Sequence, residues 1–168
     1  RRAPRGTEHH DHRRRAVDER ATTARTVRLL ILLEPHLCEL PVREAVAERL
    51  AGIAAAQGEP LELTLELVPV PSAPGQEPPF SAADRERLLT RAARGEWDLV
   101  LVAPPGRTFC RALHDSYVGP KPLRSSRWPH GLPRLDPAQR GHCDHENRLL
   151  EFFVMLCEVA AGQGSSFV

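Results

Sequence analysis

The chain has 168 residues, of which 41% are hydrophobic, 27% charged and 5% aromatic, so its length predicts one domain and its apolar content a folded core. No apolar run approaches the roughly 20 residues of a membrane span, and no secretory signal is recognisable. We therefore expect no membrane segment and a cytoplasmic or nuclear location. Because the first residue is Arg1, we interpret the chain as a fragment of a longer protein.

The net charge of +1 is unevenly distributed. Residues 1–28 hold nine arginines against four acidic residues, whereas the remainder holds 14 basic residues against 18 acidic ones. Since residues 1–26 lack apolar periodicity, we predict a disordered basic arm there, followed by a domain over residues 27–168. The four cysteines have no CxxC spacing, so free thiols are expected.

The first half of the predicted domain alternates between strand and helix. Val27–Leu33 is an apolar run with the length of a buried strand. Apolar residues three or four apart predict a helix over Val42–Gln57, which Gly58 closes. Strict alternation of leucines with polar residues in Leu61–Val68 predicts a strand with one solvated face, hence an edge strand.

The second half continues the alternation after a proline-rich loop over residues 69–80. Ser81 and Asp84 resemble the start of a capped helix, and Trp97–Ala103 is apolar enough for a central strand. Residues 106–141, with five of the sixteen prolines, predict a long irregular loop. A helix over residues 144–161 and the beginning of a fourth strand at residue 166 follow.

This order predicts an open α/β sheet, mostly parallel, with right-handed crossovers and flanking helices. Ligands of such sheets bind at the carboxyl ends of the strands. The turns over residues 34–41 and 104–114 are therefore the candidate sites.

The turn after the third predicted strand resembles that of the C5-cytosine DNA methyltransferase family. Residues 98–102 match the family's strand, Pro104 and Pro105 its proline turn, and Phe109 its aromatic residue. Gly106 stands at the position of the nucleophilic cysteine, and Cys110 at that of a serine.

Two downstream segments extend the resemblance. Asp144, Asn147 and residues 150–153 loosely match the helix that follows the family's substrate loop, and residues 119–124 are similar to uncharacterised, retroelement-like protist proteins of this group. The resemblance implies a partial Rossmann-like fold of methyltransferase type, S-adenosylmethionine as the cofactor and DNA as the substrate. It places the cofactor near Glu34, Pro104 and Pro105.

The departures from the family predict a degenerate, inactive domain. Methylation of cytosine needs a thiolate that adds to C6 of the ring, and Gly106 has no side chain. Cys110 lies four residues further on, behind a rigid turn, and is a remote alternative nucleophile. Residues 34–37 replace the family's glycine-rich cofactor loop, so we expect no bound cofactor and name no catalytic residue.

The predicted loop is basic, with seven Arg or Lys residues against two aspartates, and it contains Tyr117 and Trp128. Arginines interleaved with aromatic residues suit phosphate contact and base stacking. The candidate residues for weak, salt-dependent binding of DNA or RNA are Arg107, Arg111, Lys121, Arg124, Arg127 and Trp128.

Further interpretations stay open. The basic loop is also typical of a solvated loop in an arginine-rich chain, and the alternatives to a degenerate methyltransferase-like domain are a non-enzymatic nucleic-acid-binding module and a decayed mobile-element fragment. A zinc site formed by Cys110 and His114 with His142, Cys143 and His145 is a weaker alternative. Their spacing matches no common zinc finger, so we predict no metal.

Overall fold

The computed structural model describes residues 24–38, 41–58, 60–70, 80–104, 106, 108–109 and 121–168. The strands are β1 (Arg25–Leu33), β2 (Leu61–Pro69), β3 (Leu99–Val102) and β4 (Ser166–Phe167). The helices are α1 (Pro35–Cys38), α2 (Val42–Gln57), α3 (Ala82–Ala93) and α4 (Pro137–Gly162). No helix in this part of the chain is long and apolar enough to cross a membrane.

The four strands form one parallel sheet in the order β2-β1-β3-β4. This confirms the predicted α/β class and the parallel sheet. It also confirms β2 as an edge strand and β3 as an interior one. The chain leaves β1 for β2 on one side and returns to β3 on the other, so the crevice between the carboxyl ends of β1 and β3 is the switch point where ligands bind in such sheets.

Helices cover the two faces of the sheet unequally. On one face α3 and α4 pack together against alternate residues of the interior strands, with Leu30, Leu32 and Val100 in the core. On the other face α1 and α2 cover β1 and β2, where Leu29 and Ile31 are buried. Burial of these β-strand side chains on both faces explains why β1 reads as a continuous apolar run.

The start of α4 corrects the predicted loop. The helix begins at Pro137, not at residue 144, so residues 137–141 belong to it. The Asp136 carboxylate accepts a hydrogen bond from the Gln139 backbone N–H (2.8 Å), and the Gln139 side chain accepts one from the Asp136 N–H (3.3 Å). This capping box, with proline in the first turn, starts a helix whose first turns carry no apolar stripe.

Two other boundaries follow from hydrogen bonding. Ser81 accepts from the Asp84 N–H (3.1 Å), as the predicted cap of α3 requires. β1 begins at Arg25, inside the predicted basic arm, because Arg25 and Thr26 pair with β2. Residues 1–23 of that arm lie outside the described residues.

Candidate functional site

The two candidate turns lie side by side at the carboxyl edge of the sheet. The Ala103 N–H, just after β3, donates to the Leu32 carbonyl of β1 (2.9 Å). After β1 the chain passes through the buried Glu34 directly into α1. The N–H groups of Leu37 and Cys38 donate to the Glu34 carbonyl (2.9 and 3.2 Å), so a tight helical turn stands where the resemblance would place a glycine-rich loop.

Gly106 is exposed in the turn after β3. Its carbonyl accepts a hydrogen bond from the Phe109 N–H (3.2 Å), and a Cβ added at Gly106 would have nothing within 4 Å. The position therefore has room for a side chain and lacks one. Pro104 is exposed beside it, while Pro105, Arg107, Cys110 and Arg111 lie outside the described residues.

Thr108 fastens the turn to α4. It is 6% exposed, and its backbone N–H donates to the carboxylate of Glu146 (3.2 and 3.3 Å). Its hydroxyl donates to the same carboxylate. The Arg124 Nε in turn donates to the Thr108 hydroxyl oxygen (2.7 Å), so the residues after β3, α4 and the following segment meet at one buried point.

Arg124 is the centre of this arrangement and is 5% exposed. Its Nη1 donates to the Asn147 Oδ1 (2.7 Å) and its Nη2 to the Cys143 carbonyl (3.0 Å), while Nη2 lies 3.8 Å from Glu146 Oε2. A further bond joins Nη1 to the carbonyl of Pro129 (2.5 Å). We call Thr108, Arg124, Cys143, Glu146 and Asn147 the Arg124 cluster.

Sequence reasoning assigned Arg124 to phosphate contact, and the structure places it in the interior instead. The guanidinium carbon lies 3.8 Å from the centroid of the Phe109 ring, so the cation is stacked as well as hydrogen-bonded. A sequence signal for this partner existed: Glu146 and Asn147 precede the buried Leu149 on α4, where an isolated carboxylate would need a cation.

The other described nucleic-acid candidates are at the surface. The backbone groups of Ser125 and Trp128 bond to each other (2.9 and 3.3 Å) and close a turn on which Trp128 is 43% exposed. The Arg127 guanidinium lies 5.7 Å from the centroid of the Trp128 ring. Lys121 is also exposed. Arg124 directly precedes this turn in the chain, so the turn begins next to the Arg124 cluster.

The histidine and cysteine residues at the start of α4 do not converge. Cys143 is buried, and its burial raises the pKa of its thiol. Across the described ranges no three His, Cys, Asp or Glu side chains are arranged to hold a metal ion. Cys110 and His114 of the zinc alternative lie outside those ranges.

Comparison with family models, with curated proteins and with solved structures finds no match. The described architecture therefore defines the class of protein: an α/β domain with a parallel four-stranded sheet. The turn after β3, at the switch point, is hydrogen-bonded to α4 through Thr108 and Glu146 and to the buried Arg124.

Proposed function

We propose that this chain is a degenerate relative of the C5-cytosine DNA methyltransferases that binds nucleic acid weakly and does not methylate it. The proposal includes a partial Rossmann-like fold of methyltransferase type and a cytoplasmic or nuclear location. The observation that carries it is Gly106, an exposed glycine at the carboxyl end of interior strand β3 whose Cβ position faces open space.

Because residue 106 is a glycine, the turn has no thiol at the position of the family's nucleophile. In the family, a thiolate adds to C6 of cytosine and makes C5 nucleophilic toward the methyl donor. Glycine at this position supplies no such group. The space around Gly106 and the anchoring of the turn through Thr108 support a turn of the family type that has lost its nucleophile rather than one that has been rebuilt around another residue.

The residues at the end of β1 do not fit S-adenosylmethionine. In the family a glycine-rich loop lets the backbone approach the methyl donor, whereas here Glu34 is followed at once by α1, whose first turn is closed by hydrogen bonds to the Glu34 carbonyl. Bulky residues and a closed turn leave no glycine for close approach. We therefore derive no step through this cofactor.

Nucleic-acid binding is supported by the surface turn that carries Arg127 and Trp128. A half-exposed indole offers a stacking face to a base, and the neighbouring Arg127 guanidinium offers a contact to phosphate. Lys121, seven residues before Trp128 in the chain, is a further exposed cation. The buried Arg124 takes no part in this surface.

A covalent trap tests the loss of the nucleophile. DNA containing 5-fluorocytosine captures family enzymes as covalent adducts, and we expect no adduct with this chain, with or without S-adenosylmethionine. Gly106→Cys is the matched variant, because the added side chain has room, and it too should form no adduct without a cofactor site. An adduct formed by the unaltered chain and mapped to Cys110 by mass spectrometry would overturn the proposal.

Calorimetric titration tests the cofactor separately. We expect no heat of S-adenosylmethionine binding at concentrations up to about 1 mM, a limit that corresponds to about −4 kcal/mol of binding free energy. A dissociation constant in the micromolar range would contradict the interpretation of the turn after β1.

Fluorescence anisotropy with labelled single-stranded and duplex DNA tests binding. Affinity should fall steeply as salt rises, because phosphate contacts release counterions. Trp128→Ala should weaken binding, by about 1–3 kcal/mol if a base stacks on the indole, whereas Ile53→Ala, at another exposed apolar residue, should not. Binding that is absent at low salt, or insensitive to salt, would remove this part of the proposal.

A further inference from the structure

Apolar depressions lie along the exposed side of α4, bordered by Pro104 and Phe109 of the turn after β3 and by Pro129 and His130 next to the Trp128 turn. Two adjoining cavities of about 390 and 370 Å³ share Leu150, Val154 and Glu158 as lining residues. The three shared residues lie on one side of α4, so the two cavities adjoin each other along the helix. We call the two adjoining cavities together the α4 groove.

The α4 groove collects much of the exposed apolar surface of the described chain. Four large hydrophobic side chains that line it are strongly exposed: Phe109 (43%), Val154 (53%), Met155 (45%) and Phe167 (54%). A contiguous apolar patch of this kind, unlike single scattered residues, is typical of an interaction site. The lining runs from Asn147 to Glu158, a rise of about 16 Å, which matches some three turns of a second helix.

The charged side chains among the described lining residues are acidic. Glu151 and Glu158 line the groove and are exposed, and within the part of the chain that the structure describes no lysine or arginine lines either cavity. Seven residues apart on one helix, these two carboxylates lie on the same side and about 10 Å apart along the axis. Such a pair is complementary to two cations spaced by two helical turns on an opposing helix.

We propose that the α4 groove binds a cationic amphipathic helix of a partner protein. Apolar residues at positions i, i+3, i+4 and i+7 of that helix fill the groove between Phe109, Val154 and Phe167, and flanking Lys or Arg side chains pair with Glu151 and Glu158. The carboxylates argue against a nucleic-acid strand here, because they repel phosphate. This inference goes beyond the proposed function, since it rests on Glu151, Val154 and Glu158 of α4 and is tested with peptides rather than with nucleic acid or cofactor.

A pair of labelled model peptides tests the proposal on the full chain. One peptide of about 15 residues carries leucines at i, i+3, i+4 and i+7 with lysines elsewhere, and its control carries glutamates in place of the lysines. Anisotropy should show saturable binding of the lysine peptide and at least about tenfold weaker binding of the glutamate peptide.

Matched variants locate the site. Glu151→Lys with Glu158→Lys should weaken the lysine peptide at least about tenfold and strengthen the glutamate peptide, whereas Glu44→Lys with Glu48→Lys, the same charge change on exposed positions of α2, should do neither. Val154→Ser should also weaken binding and Ile53→Ser should not, since both residues are exposed and both variants are expected to fold, as circular dichroism will verify.

Four results would overturn the proposal. They are no saturable binding below about 1 mM, equal binding of both peptides, equal weakening by the α2 control variants, and self-association of the chain that the α4 variants abolish in sedimentation experiments. The last result would make a second copy of this chain the occupant of the groove.

Discussion

Replacing Arg124 by methionine should destabilise the chain more than any other single arginine substitution among the described residues. Methionine keeps much of the apolar length of the side chain but removes every donor. The carbonyls of Pro129 and Cys143 and the side-chain oxygen of Asn147 would each lose a partner. Of its partners among the described residues, Glu146, which is 6% exposed, would retain Thr108.

The loss of unfolding free energy can be estimated from the groups that Arg124→Met leaves buried without a partner. Removing one member of a buried ion pair costs about 3–5 kcal/mol, because the other charge stays buried without compensation. The orphaned acceptors would add about 1–3 kcal/mol each if they found no water, but part of this cost overlaps with the first. We therefore expect Arg124→Met to lower the free energy of unfolding by about 3–5 kcal/mol, a large share of the roughly 5–15 kcal/mol of a typical domain.

Urea unfolding followed by tryptophan fluorescence measures this loss, since Trp97 is 4% exposed and reports on the core. Arg127→Ala is the control, because Arg127 is at the surface and its removal should change stability by no more than about 0.5 kcal/mol. A double-mutant cycle with Glu146→Gln should give a coupling free energy above about 1 kcal/mol. A loss below about 1 kcal/mol for Arg124→Met, or no coupling to Glu146, would refute the reasoning.

Three further predictions concern other parts of the fold. Gly131→Ala should lower the free energy of unfolding by about 1–3 kcal/mol, since Gly131 has φ +124° and an added Cβ would meet three side-chain atoms at 3.2–3.3 Å. Gly141→Ala in α4 should instead raise it by about 0.5–1 kcal/mol. Equal melting temperatures of the two variants would contradict this prediction. The side-chain hydrogen bond from Arg28 lowers the pKa of Asp98. Because the pair is half-exposed, it should contribute less than about 1 kcal/mol at neutral pH. The stability difference between Asp98→Asn and the parent should shrink as the pH falls below about 4 and through the lowered pKa, and a difference that stays constant over this fall would contradict the prediction. The buried Cys143 thiol, whose pKa is raised by burial, should resist a disulfide-exchange reagent at pH about 8 until urea unfolds the chain, as peptide mass spectrometry would show; labelling at the unfolded rate would refute its burial.

Local periodicity was enough to predict most of the sheet and its helices. The bounds of α2 agree with the apolar spacing at Val42–Gln57, and the alternating leucines of β2 predict its edge position because an edge strand buries only part of its surface. The start of α4 was missed for a physical reason. Its first turns have no apolar stripe, and Asp136 with Gln139, a capping pair three residues apart, was the signal that remained.

No pattern near Arg124 in the sequence predicts its role; the signal at Glu146 on α4 indicates the need for a cation but does not identify which one. The Arg124 partners Thr108 and Asn147 lie 16 and 23 residues away along the chain, and these contacts join α4 to the residues after β3. A count of charges over the loop treats every arginine as exposed to solvent. Arg127 is exposed, but Arg124 is 5% exposed. Whether Gly106 marks a lost nucleophile stays a prediction, because it depends on chemistry that only the trapping experiment measures.

The two parts of the 26-residue helix α4 are held by different contacts. From Leu149 onward the helix packs against the sheet and α3, while its first turns are held by the segment around Arg124 and Gly131. In native-state hydrogen exchange these halves should belong to different cooperative units. Release of the arginine would free the amides of the first turns and of residues 121–135 together, at a free energy below that of global unfolding, while the amides beyond Leu149 stay protected until the sheet itself opens. The amides of one continuous helix would thus exchange with two different opening free energies.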